Sequence, residues 1–182
     1  MEGGILAWEG LVAEGAPEAA RAFFASARSP EEYTALAWLL EKGTQAFYEG
    51  VKGMLDDKEA VDLFQELIVA EEHHKSMLET LYKELSGEST ETALTLFRSM
   101  ETESQGVIEG GMKLKEALTW AQGKTLRDIL ELSLSLEANA YDRYLSMGRD
   151  MGDNPSVRVF KVISEEEKHH LERMAELFNR VA

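Results

Sequence analysis

Two glutamate–histidine pairs, Glu71 with His74 and Glu167 with His170, each lie three residues apart in a run that reads as helix. That spacing puts a carboxylate and an imidazole on one helix face, where they can converge on a single point. A lone Glu-x-x-His on a charged helix is ordinary surface, but here the motif recurs within a repeat. A shift of 96 positions carries Glu71 onto Glu167 and His74 onto His170, and in the same register Glu41 onto Glu137, Tyr48 onto Tyr144 and Phe64 onto Phe160. Each copy is a glutamate on one helix, 30 residues ahead of a Glu-x-x-His on the next. Glu41 sits amid Ala37, Trp38 and Tyr48, and Glu137 amid Leu134, Ala140, Tyr141 and Tyr144, so both glutamates fall on apolar helix faces. Four carboxylates and two imidazoles aimed into one helical core are the ligand set of a carboxylate-bridged dimetal centre. The candidate metal ligands are therefore Glu41, Glu71, His74, Glu137, Glu167 and His170.

The repeat also sorts the neighbours. His73 and His169 repeat as well, yet one residue along a helix turns the side chain about 100° away from the ligand face, so they are read as solvated or as outer partners. Glu166 with His169 has the same spacing, but its counterpart would be Ala70, so the repeat selects Glu167 with His170. Tyr48 and Tyr144 lie two turns beyond the lone glutamates, where they either pack the core or hold a ligand carboxylate from behind. Trp38, Trp120 and the scattered methionines are assigned to the core. Burying four ionised carboxylates without partners costs several kcal/mol each, so the site is expected to be metallated or substantially protonated.

Four long helices would position these residues. The first, from about Pro30 to Leu55, opens with Ser29 as cap, Pro30 in the first position and Glu31 and Glu32 in the first turn. The second starts from Asp57 and stops at Gly87, with apolar residues at spacings of three and four. "KTLRDILELSLSLEANAYDRYLSMGRDM" and "NPSVRVFKVISEEEKHHLERMAELFNRV" repeat the pair. Between the pairs, about residues 87–124 hold two short helix-like stretches separated by Gly110–Gly111, long enough to travel the length of a bundle and reverse direction. The expected fold is all-α: a four-helix bundle with a long crossover between helices 2 and 3.

Composition bounds the chemistry. The 182 residues suit one domain, and with no cysteine any metal must be held by nitrogen and oxygen. A formal charge of -15 disfavours nucleic acid and anionic membrane as partners. No apolar run reaches the roughly 18 residues of a membrane span, and no signal-like segment opens the chain, so the expected location is the cytoplasm.

At these residues the chain resembles the ferritin-like diiron proteins and, within them, the rubrerythrin branch, over about residues 30–181. The stretches "LLEKGTQAFYEG", "VAEEHHKSML", "LSLEANAYDRYL" and "SEEEKHHLERM" look like the four ligand-bearing helices of that family. The resemblance implies two iron ions per chain, with manganese or zinc able to take the same ligands. It also implies reduction of hydrogen peroxide, or of oxygen, at a carboxylate-bridged diiron centre. Ala140 stands where rubrerythrins carry an additional glutamate, which makes the six-ligand set closer to ferritin-type and bacterioferritin-type sites. The family's cysteine-bearing rubredoxin domain is missing, so a separate electron-donor protein is implied, and a homodimer is expected. The opening "MEGGILAWEGLVAEGAP" is similar to the closing segment of a rhodanese domain, so residues 1–28 are read as a linker or rhodanese remnant ahead of a diiron bundle at 29–182. Two other functions fit the same residues: ferritin-like iron oxidation and storage, or a metal-stabilised helical interaction module without redox turnover.

Overall fold

The computed structural model describes residues 27, 29–89, 91–92, 95–97, 106–150 and 156–181. The segment at 1–28, read from the sequence as a linker or rhodanese remnant, lies outside them apart from Ala27, as does Pro155. Among the described residues the chain is all-α and has no strand, only an isolated antiparallel bridge between Val107 and Lys113. We label the helices α1 (Pro30–Lys52), α2 (Lys58–Ser86), α3 (Leu114–Ala121), α4 (Leu126–Asp150) and α5 (Ser156–Arg180), with a 3-10 turn at Glu109–Gly111. None of them is long and apolar enough to cross a membrane.

Local chemistry sets the helix ends. Ser29 accepts a hydrogen bond from the Glu32 N–H ahead of Pro30, and Asp57 accepts one from the Ala60 N–H at 2.8 Å. Gly87 ends α2 in the left-handed conformation, φ 68°, with its N–H on the Lys83 carbonyl. At the start of α4, Thr125 and Asp128 exchange hydrogen bonds in a capping box, the Thr125 N–H to Asp128 Oδ2 and the Asp128 N–H to Thr125 Oγ1. α1 stops at Lys52, short of the expected Leu55, because the chain turns at Gly53 and Met54 to reach the Asp57 cap. Trp38 is buried as a core residue should be, whereas Trp120 is half-buried with the Lys124 ammonium over its ring, and Met54 is exposed.

α1 packs along α2, α4 along α5, and α2 against α5. Their buried faces form two apolar clusters. One gathers Phe47, Tyr48, Phe64, Leu67, Leu130, Leu136, Met174 and Leu177; the other gathers Trp38, Leu40, Leu78, Leu81, Tyr144, Met147, Phe160 and Ile163. On every long helix the candidate ligands fall between its residues of one cluster and its residues of the other. A polar layer is thus closed above and below by hydrocarbon. The order of the clusters shows that α2 and α4 run in the same sense, and α1 and α5 in the opposite one.

The segment before α3 reaches this layer through one glycine. A Cβ built on Gly43 of α1 would lie 1.9 Å from the Val107 carbonyl oxygen, so only hydrogen lets that backbone close on the helix. Next to it, Thr44 Oγ1 accepts the Glu109 N–H at 3.1 Å, and Gly110 and Gly111, at φ 78° and 82°, turn the chain back. Gly43→Ala should cost about 1–3 kcal/mol of unfolding free energy through overpacking against backbone that cannot yield. Gly148→Ala on α4, where a Cβ meets nothing within 4 Å, should instead add about 0.5–1 kcal/mol. Urea midpoints of the two variants check this; a stabilised Gly43→Ala protein would show that the close approach is dispensable.

Candidate metal centre

All six candidate ligands converge in the polar layer between the two apolar clusters. Glu41, Glu71, His74 and Glu167 form one cluster and Glu137, Glu167 and His170 another, each able to offer its ligand atoms within 4.8 Å of one another. Glu167 belongs to both: its Oε1 lies 3.2 Å from His74 Nδ1 and its Oε2 lies 3.4 Å from His170 Nδ1. One carboxylate therefore faces both imidazoles, one oxygen to each.

Both rings turn Nδ1 inward. His74 Nδ1 also meets Glu41 Oε2 at 3.4 Å and Glu71 Oε2 at 3.6 Å, and His170 Nδ1 meets Glu137 Oε2 at 3.2 Å. The tyrosines close the centre crosswise. The Tyr48 hydroxyl donates to Glu137 Oε1, and the Tyr144 hydroxyl to Glu41 Oε1. Each repeat thus holds the lone glutamate of the other from behind and leaves its Oε2 facing inward. Both rings are also wholly buried, Tyr48 tilted on Phe64 and Tyr144 stacked on Phe160, so packing and carboxylate support coincide.

Three further groups escape the repeat. Arg143, buried on α4, donates from Nη2 to Glu41 Oε1 at 3.0 Å and to Glu109 Oε1, and its guanidinium lies 4.0 Å from the Tyr144 ring centroid. Glu109 is 2% exposed, and its Oε2 has no hydrogen-bond partner. Glu166 Oε2 lies 3.0 Å from His74 Nε2 and 3.5 Å from His73 Nδ1. His73 and His169 are exposed, in keeping with their place off the ligand face.

Without metal, protons must balance this charge, and burial and neighbouring charges set which groups hold them. Burial and the charge of Glu41 push Glu71 well above the carboxylate range, while Glu41, despite its own burial, is brought down to about 2 by hydrogen bonds with Glu71 and His74. Burial and Glu167 raise Glu137 to about 8; Glu167 itself, although buried, is held low by Glu137, His74 and His170. Each pair shares one proton. Burial opposes charge on the histidines, but the surrounding carboxylates outweigh it, raising His74 well above its ordinary range and His170 to about 10. Glu109 rises to about 8 because burial prevails over Arg143.

The donor set fits a pair of divalent ions. It is all nitrogen and oxygen, and two buried carboxylate oxygens aimed into it, Glu71 Oε2 and Glu167 Oε1, have no hydrogen-bond partner. Ionised, the four carboxylates would match two divalent cations in charge while the imidazoles stay neutral. Glu41, Glu71, His74 and Glu167 can hold one ion and Glu137, Glu167 and His170 the other. No family model, curated protein or solved structure gives a significant match to this chain.

Proposed function

We propose that the chain is a non-haem diiron oxidoreductase of rubrerythrin type, reducing hydrogen peroxide with electrons from a separate donor protein. The observation that carries this reading is Glu167, whose two oxygens face two histidines inside a layer sealed by apolar side chains. A single structural ion needs no bridging carboxylate, and a solvated charge cluster needs no buried crosswise tyrosines. The parallel sense of α2 and α4 supports the ferritin-like bundle with a long crossover, because the chain between them must return along the whole bundle.

Reducing peroxide to two waters takes two electrons and two protons, and a bound pair of ferrous ions would supply one electron each. The protein's residues do the rest. Glu167 spans the two positions, and Tyr48 and Tyr144 hold Glu137 and Glu41 so that one oxygen of each stays directed inward. Phe64, Phe160, Leu40 and Leu136 belong to the apolar clusters that keep bulk water from both sides of the layer. Glu109, with a pKa of about 8, keeps a proton on its carboxyl at neutral pH, and Arg143 connects that carboxyl to Glu41. The charge of -15 suits an electron donor that docks through a basic patch.

Anaerobic protein loaded with two ferrous ions per chain tests the reading. Stopped-flow absorbance should show oxidation by hydrogen peroxide at least tenfold faster than by oxygen at equal concentration. Equal rates would favour iron oxidation for storage, and a chain that retains no iron would leave a helical module without redox turnover.

A further inference from the structure

The two halves that the repeat makes alike are not alike behind their histidines. In both, Nδ1 faces the carboxylates, so an ion bound there leaves Nε2 carrying the proton and pointing outward. His74 Nε2 meets Glu166 Oε2 at 3.0 Å. His170 Nε2, on a ring 13% exposed, has no carboxylate within hydrogen-bond distance among the described residues. The cause is in the sequence: the counterpart of Glu166, 96 positions earlier, is Ala70. A carboxylate behind a metal-bound imidazole fixes the ring and makes it a stronger donor, and removing such a partner typically costs about 10–100-fold in metal affinity.

Resting on the dimetal reading above, we propose that Glu166 is a positioning residue that widens the gap between the four-ligand and three-ligand positions, so that the ion held by Glu41, Glu71, His74 and Glu167 binds first and more tightly than the ion held by Glu137, Glu167 and His170. The contact is placed for this role. Glu166 is 37% exposed on α5 while His74, on α2, is wholly buried, so a surface carboxylate braces a core imidazole across the α2–α5 seam. His73 shares the same oxygen at the longer 3.5 Å, from a side chain 58% exposed. At that distance it does not displace His74 from Glu166.

Anaerobic titration of the full chain with cobalt(II), followed by visible absorbance and calorimetry, tests the assignment. The wild type should fill in two steps of unequal affinity. Glu166→Ala should weaken the first step by about 10–100-fold and leave the second within about twofold. Glu166→Gln, whose amide oxygen still accepts a hydrogen bond without charge, should fall between. His73→Gln should leave both steps unchanged. Ala70→Glu should strengthen the second step about tenfold and draw the two together. In the proton spectrum of the cobalt-loaded protein, the paramagnetically shifted imidazole N–H of His74 should exchange slowly with solvent, and quickly in Glu166→Ala. Wild-type and Glu166→Ala isotherms that overlay, or a Glu166→Ala effect confined to the second step, would overturn the assignment. An Ala70→Glu protein with an unchanged second step would overturn the claim that the missing carboxylate adds to the gap between the two. A wild-type chain that binds no cobalt would instead overturn the dimetal reading itself.

Discussion

Glu167→Ala should empty one metal position and weaken the other, taking metal content from about two per chain to one or fewer, whereas His170→Ala should empty one position and leave the other's ligands intact, and Glu71→Ala should remove at least one ion. The difference follows from connectivity. Among the described residues Glu167 alone belongs to both ligand clusters, with Oε1 toward His74 and Oε2 toward His170. His170 serves only the second cluster and Glu71 only the first. Losing a shared ligand leaves the second cluster with Glu137 and His170, too few to hold an ion against water, and takes a negative charge from the first. The loss should exceed the roughly 10–100-fold that an outer partner costs. Elemental analysis after gel filtration in the presence of a weak chelator measures it directly. A Glu167→Ala protein that kept one ion at wild-type affinity would mean two independent mononuclear sites, and the bridged reading would fail. The Glu167→Ala chain should still fold, since the two apolar clusters flank the layer and do not run through it.

How much of this centre the sequence discloses follows from what a repeat can disclose. Glu41, Glu71, His74, Glu137, Glu167 and His170 are legible because each has a partner 96 positions away and because helical spacing puts each on an inward face. Tyr48 and Tyr144 are legible for the same reason, although only the folded chain reveals that each reaches the other repeat's glutamate. Arg143, Glu109 and Glu166 are hidden by that logic, since they occur in one half only. Arg143 replaces Phe47, Glu166 replaces Ala70, and Glu109 lies in the connecting segment, which has no copy. Spacing marks Glu166 only as a rival ligand, one residue out of register. The helical class and the capping residues Ser29, Asp57 and Gly87 follow from local chemistry. The docking of residues 106–113 on Gly43 does not, because one missing Cβ becomes informative only once its neighbour across the chain is known.

Binding two metal ions at pH 7 should release about four protons per chain, one each from Glu71, Glu137, His74 and His170, and should reverse the pH dependence of stability. The metal-free protein balances two ionised carboxylates, Glu41 and Glu167, with two protonated imidazoles and keeps Glu71 and Glu137 neutral. Two divalent ions take the place of those four protons. For the metal-free fold, His170 contributes stability that is complete below the ordinary histidine value and is lost as pH rises through about 10. Glu137 and Glu109, at about 8, hold protons that the unfolded chain gives up near 4.5, so their ionisation also lowers stability as pH rises across that window. Glu41, at about 2, acts the opposite way, its contribution falling away only as pH drops below 4.5. The net effect is a melting temperature of the metal-free fold that declines from about pH 5 to pH 10. In the loaded protein rising pH removes the competing protons and tightens the metal, so stability should hold or increase over the same range. Calorimetric titrations in buffers of different ionisation enthalpy count the released protons, and melting curves with and without chelator give the two pH profiles. Release of fewer than about one proton per ion, or parallel melting profiles, would mean that protons do not occupy the positions the metals fill. The buried carboxylates would then be ionised in the empty fold, against the cost of burying unpaired charge.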